Sequence, residues 1–105
     1  MPQVVIIGGR AYALDTIAEK SDAVLYAFYP GMQGGKAIAE ILFGDVNPSG
    51  RLPVSLPRCS GQLPVYYNYK NSYRSMHYYN IPDGAAYTFG YGKSYTEFVY
   101  EDVSF

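Results

Sequence analysis

The chain has 105 residues, 49% of them apolar by a count that includes thirteen tyrosines, and its eight basic and nine acidic side chains leave a formal charge of −1. Such a length allows one small domain or parts of two, and the near-neutral balance offers no electrostatic basis for a nucleic-acid partner. A single cysteine, Cys59, excludes an internal disulfide framework, and the longest apolar runs, 4–7 and 22–29, fall far short of the roughly eighteen residues of a membrane span.

In chain order, residues 3–7 form a β-branched run that ends in Gly8-Gly9, which predicts a strand leading into a tight turn. Residues 14–20 place Leu14, Ile17 and Ala18 at helical spacing, a helix of about two turns. The apolar run 23–28, closed by Pro30-Gly31, has the length of a buried strand. The strongest helix is 35–43: Ala37, Ile38, Ile41 and Leu42 make one stripe, Lys36 and Glu40 sit four apart on the wet side, and Gly44 follows as a left-handed cap. A turn through Asn47-Pro48-Ser49-Gly50 then leads to an extended segment, 52–56. Because Pro53 has no N–H to donate, this strand begins there or lies on a sheet edge.

Strand–helix–strand–helix–strand predicts an α/β fold, and three short strands amount to part of a three-layer α/β sandwich, since parallel strands want cover on both faces. After Pro57 the character changes. Only three tyrosines precede residue 66, whereas ten lie from Tyr66 to Tyr100. Residues 58–82 hold Arg58, Lys70 and Arg74, six tyrosines and no carboxylate, which reads as a long Tyr-rich connection held by ring packing. Phe89-Gly90-Tyr91-Gly92 marks a turn within 88–94. The tail 95–105 alternates Phe98 and Tyr100, then Val103 and Phe105 out of phase, which predicts a terminal β-strand with a bulge. These breaks divide the chain at 1–57, 58–94 and 95–105.

No single motif supplies chemistry. Gly8-Gly9-Arg10 lacks the spacing of a dinucleotide fingerprint, Gly35-Lys36-Ala37 lacks the hydroxyl of a phosphate loop, and no Ser sits in a nucleophile elbow. His77 and Cys59, each the only one of its kind, have no ligand partners in sequence, so neither a metal nor a cofactor is expected. Glycosidic acid/base work needs paired carboxylates in unusual surroundings. Asp15 and Glu19 share a helix face toward water, Glu40 pairs with Lys36, and Asp22, Asp45, Asp83, Glu97, Glu101 and Asp102 form no pair that stands out.

The whole chain nevertheless resembles one family. Residues 29–55, from Tyr29-Pro30-Gly31-Met32-Gln33-Gly34-Gly35 through Phe43-Gly44-Asp45-Val46-Asn47-Pro48-Ser49-Gly50-Arg51-Leu52-Pro53, resemble the C-terminal α/β sandwich domain of family 3 glycoside hydrolases, the β-glucosidase and β-xylosidase group. Gly61-Gln62-Leu63-Pro64-Val65-Tyr66-Tyr67-Asn68 and Tyr87-Thr88-Phe89-Gly90-Tyr91-Gly92-Lys93-Ser94 are similar to the segment entering that family's fibronectin-like domain. The resemblance covers nearly all of 2–105. Gly8 and Ala11 depart from it, where the family usually has Ser and Pro.

The resemblance implies a retaining hydrolase with two catalytic carboxylates, both upstream of Met1, so that no residue here is catalytic. It also implies a sandwich portion at 1–57, a connection at 58–94 and the first strand of a fibronectin-like domain at 95–105. Loops at strand ends are where such sheets place ligands, which singles out the Gly8–Tyr12 and Tyr29–Gly35 loops, with Arg10, Tyr29, Met32 and Gln33 as substrate-proximal. Expected partners are β-linked glucosides or xylosides, with the missing domains of a parent enzyme or a second copy completing the sheet. Competing readings are a stand-alone carbohydrate-binding or regulatory module built on the tyrosines, and a purely structural assembly unit. No basic-then-apolar leader opens the chain, which as it stands reads as soluble and cytoplasmic, while a parent could be exported.

Overall fold

The computed structural model describes residues 2–68, 70 and 79–102. Strand β1 (Gln3–Ile7), helix α1 (Asp15–Lys20), strand β2 (Ala23–Phe28) and helix α2 (Gly34–Leu42) follow in order. The two strands pair in parallel, as a β–α–β crossover requires, with Gln3 opposite Ala23 and Ile6 opposite Tyr26. Ile7 then pairs with Phe28, so Ala27 is an extra residue and the ladder carries a bulge at its carboxyl end. β1 ends where its β-branched run meets Gly8, and β2 ends at Phe28, one residue before the run's last aromatic, Tyr29.

Each helix starts within one residue of its expected position. Leu14 caps α1 and is buried, whereas Ile17 is 43% exposed although it shares the apolar stripe. In α2 the residues Ile38, Ile41 and Leu42 are half-buried, and Lys36 Nζ meets Glu40 Oε1 at 3.6 Å on the wet side. Phe43 closes the helix through its N–H to the Ala39 carbonyl, and Gly44 takes φ +85°, the left-handed cap that its place in the sequence predicts.

Segment 52–56 differs from expectation: it forms no strand but a ribbon with 87–91 that includes one isolated antiparallel bridge, Leu56 to Tyr87. The Leu52 N–H donates to the Tyr91 carbonyl (2.9 Å) and the Gly90 N–H to the Leu52 carbonyl (2.8 Å). At the other end, the Leu56 N–H reaches the Tyr87 carbonyl at 2.8 Å. Between these ends the ladder fails for two local reasons. Pro53 has no donor, and the Phe89 N–H goes instead to the Ser55 hydroxyl at 3.1 Å.

Around this ribbon lies the tightest packing among the described residues. Leu56 is 1% exposed, and Gln62 is 2% exposed with both ends of its amide engaged. Gln62 Oε1 accepts from the Arg58 N–H (2.7 Å), and Nε2 donates to the Gly84 carbonyl (2.9 Å). A buried amide satisfied on both sides fixes the two strips of chain it joins.

Residues 95–102 pair with no strand among the described residues, and Val103 and Phe105, where the expected change of register falls, lie outside them. Arg74, His77 and Tyr69, Tyr73 and Tyr78 of the Tyr-rich connection also lie outside them. Of its other tyrosines, Tyr67 stacks on Phe89 with ring centroids 4.4 Å apart and planes 22° from parallel.

Candidate functional site at the carboxyl ends of the strands

Parallel strands leave their carboxyl ends open to loops, and here two loops meet. The Gly8 N–H donates to the Phe28 carbonyl at 3.0 Å, which keeps both chains paired past the bulge. Phe28 takes φ +52°, a left-handed conformation that a bulky side chain rarely adopts. This turn at the end of β2 directs Tyr29 across the neighbouring strand exit.

At Gly8 and Gly9 the tips of two aromatic rings come close to the backbone. A Cβ on Gly8 would stand 2.6 Å from the Tyr12 ring, and one on Gly9 would run into the ring of Tyr29. The sequence reading of a tight strand exit is right in position, but the reason is the close approach of two aromatic rings. A Ser at position 8, usual in the resemblance, needs a different placement of Tyr12.

Tyr26 pins the first loop. Its hydroxyl donates to the Arg10 carbonyl and accepts from the Tyr12 N–H at 3.1 Å. Its ring lies between those of Tyr12 (6.4 Å) and Phe28 (4.7 Å). Burial pushes the Tyr26 hydroxyl above its usual range, against the opposing pull of the Tyr12 N–H and the Arg10 guanidinium. Arg10 lays its guanidinium over the Tyr12 ring, 4.8 Å from the centroid, with its polar edge toward water.

Of the four residues singled out from sequence, Arg10 and Tyr29 thus flank the Gly9 backbone. Tyr29 keeps 79% of its surface exposed and Met32 all of it. Met32 and Gln33 stand exposed on the turn into α2, where Gly34 packs on Pro30 and the Ala37 N–H donates to the Gln33 carbonyl at 3.0 Å. These loops carry an exposed ring, a guanidinium and an exposed Gln33. No acidic pair lies in these loops: Asp15 and Glu19 are exposed on α1, and Glu40 faces Lys36. Among the described residues no group of three His, Cys, Asp or Glu converges to hold a metal.

Sequence reasoning reached the loop that ends at Tyr12 but missed Tyr26 and the contact between the two. The available signal was a tyrosine inside an otherwise apolar strand, because a covered hydroxyl needs a partner and so points to a neighbouring loop. Beside this loop an apolar groove of about 370 Å³ runs past Ala11 between Val54, Pro57, Leu63 and Tyr66.

The profile described as the glycosyl hydrolase family 3 C-terminal domain matches residues 2–95. The periplasmic β-glucosidase of Salmonella typhimurium is 43% identical over 96% of this chain, and a putative β-xylosidase of Formosa agariphila 42% identical over 95%. The chain spans 14% and 13% of those proteins' own lengths. The crystal structure of a Listeria innocua β-glucosidase in complex with glucose superposes on 90% of this chain with a TM-score of 0.80 and 40% identity, and the match covers 15% of that structure. A match over most of the chain, in both sequence and backbone, leads to one conclusion: the chain belongs to the family 3 glycosyl hydrolase C-terminal domain family.

Proposed function

We propose that this chain serves as the C-terminal sandwich portion of a β-glucosidase- or β-xylosidase-type hydrolase, supplying loops beside the sugar while the catalytic carboxylates lie in other parts of the protein. Two observations support this reading: the family match over residues 2–95, and the meeting of two loops at Gly9, where the exposed Tyr29 ring lies against the backbone at the open ends of parallel strands. In this reading Tyr29 stacks on a pyranose face, Arg10 and Gln33 hydrogen-bond hydroxyls, and Met32 adds apolar contact. Residues 1–57 complete a three-layer sandwich with strands outside this chain, 58–94 connect, and 95–105 join a fibronectin-like sheet as its first strand.

A chimera tests the proposal. This chain replaces the matching segment of the Salmonella β-glucosidase, and hydrolysis of an aryl β-glucoside is followed. The chimera is expected to turn over, and Tyr29→Ala to lower kcat/KM about tenfold or more, the loss of roughly 1.4 kcal/mol expected for a stacking contact, with its melting temperature kept. The isolated chain is expected to show no turnover. Hydrolysis by the isolated chain that disappears on changing one of its own acidic residues overturns the assignment.

A further inference from the structure

Helix α2 is fastened at both ends, and its far fastening involves the C-terminal segment. At its start, the Gly34 N–H donates to the Gly31 carbonyl (3.1 Å), and Gly34 packs directly on Pro30 of the 29–33 loop. At its finish, helix carbonyls lack intrahelical partners. The Ile41 carbonyl accepts from the Gly44 N–H at 3.1 Å and also from the Tyr95 hydroxyl at 2.6 Å, across 54 positions of sequence.

The same segment is gripped twice more. Asn47 Oδ1 accepts from the Tyr95 N–H (2.8 Å), while Asn47 Nδ2 donates to Thr96 Oγ1 (2.9 Å). Arg51 Nη2 donates to Ser94 Oγ at 3.0 Å, and the Arg51 stem crosses Gly92 where a Cβ would stand 2.7 Å from Cδ. One asparagine thus uses both faces of its amide on two consecutive residues, beside a tyrosine that caps the helix. Nine helical residues make a rod of about 13 Å, short enough to move as one body.

We propose that Asn47 and Tyr95 are positioning residues: by clamping the C-terminal segment to the end of α2 they hold the helix, and through it the 29–33 loop, in register with the Gly8–Gly9 strand exit. A segment attached beyond Thr96 would then bear on the loop through a rigid helix, without touching it. The consequence for sugar contact rests on the function proposed above; the position of the loop does not, so the two ideas fail separately.

Amide hydrogen exchange on the full chain tests it. Tyr95→Phe keeps the ring and removes one bond, Asn47→Ala removes two, and Asn47→Asp keeps the acceptor for the Tyr95 N–H while the Thr96 hydroxyl has to turn from acceptor to donor. The Gly8 amide, bonded to Phe28 in the sheet, serves as the internal reference. Exchange at Gly44 and Val46 near the clamp, and at Gly34 and Ala37 at the far end, is expected to rise about threefold to tenfold relative to Gly8, as the loss of a modest hydrogen bond implies. Asn47→Asp is expected to fall between the other variants and the unaltered chain. A Gly34-to-Gly8 ratio unchanged in both Tyr95→Phe and Asn47→Ala overturns the proposal, whether the clamp end alone responds or every amide rises together.

Discussion

Gly9 and Gly35 sit in the same half of the chain, yet a methyl group means opposite things at each. At Gly9 it would meet the Tyr29 ring, and at Gly35, inside α2, it would meet open space. Gly9→Ala is therefore expected to push the exposed Tyr29 ring aside and displace its resonances in an NMR spectrum, with a stability change of no more than about 0.5 kcal/mol. Gly35→Ala is expected to stabilise by about 0.5–1 kcal/mol through the helix backbone alone. Tyr26 gives a residue-scale dependence on pH. Its folded pKa is raised above the ordinary 10.0, so the folded state holds the proton more tightly than the unfolded chain. That contribution is complete below about pH 10 and fades as pH climbs through the raised value. Tyr26→Phe is expected to flatten the alkaline limb of a stability-versus-pH curve followed by urea unfolding; an unchanged limb refutes the assignment. The loops that carry Arg10, Tyr29, Met32 and Gln33 were legible because turn-forming glycines and a proline mark them. The contact between Tyr12 and Tyr26 was not, since it depends on a hydroxyl crossing between loop and strand.

At the scale of elements, β1, β2, α1 and α2 were readable almost to the residue. Their signals are local: β-branched runs for the strands, apolar spacing for the helices, and Gly44 for the stop. The ribbon of 52–56 with 87–91 was only half readable. Extension followed from two prolines, but the partner lies more than thirty positions away, and no periodic pattern announces a pairing in which a side-chain hydroxyl replaces a backbone acceptor. This ribbon holds the tightest packing, so substitutions there should be the most costly. Leu56→Ala is expected to cost about 2–5 kcal/mol by cavity formation. Ser55→Ala leaves the Phe89 N–H without its acceptor and is expected to cost about 1–3 kcal/mol. Breaking the exposed Lys36–Glu40 pair should change stability by no more than about 0.5 kcal/mol. Denaturant midpoints on the three variants check the order, and a Lys36→Ala loss matching that of Leu56→Ala contradicts it.

Over the whole molecule the radius of gyration is 16.5 Å, against about 13 Å for a compact domain of this length. Leu14 and Leu56 are the buried large apolar side chains among the described residues, while Ile7, Phe43, Phe98, Val99 and Tyr100 are each more than 60% exposed. Two parallel strands cannot cover both of their faces with one short helix and one of nine residues, so apolar surface that a fuller sheet would bury stays wet. Sequence alone pointed the same way, because three strands were too few for a sandwich, and the structure leaves only two of them paired in a sheet. Stability should therefore depend on what covers these faces. With about 25 cal/mol for each Å² of apolar surface removed from water, covering a few hundred Å² contributes several kcal/mol, comparable to the whole stability of a small domain. Placed in the Salmonella β-glucosidase chimera, the Val4–Ile6 and Val24–Tyr26 amides are expected to exchange at least about a hundredfold more slowly than in the isolated chain, the factor that about 2.7 kcal/mol of added protection implies. Equal exchange in the two settings would mean that the exposed faces gain nothing from the rest of the enzyme, and the sandwich reading of residues 1–57 would have to be given up.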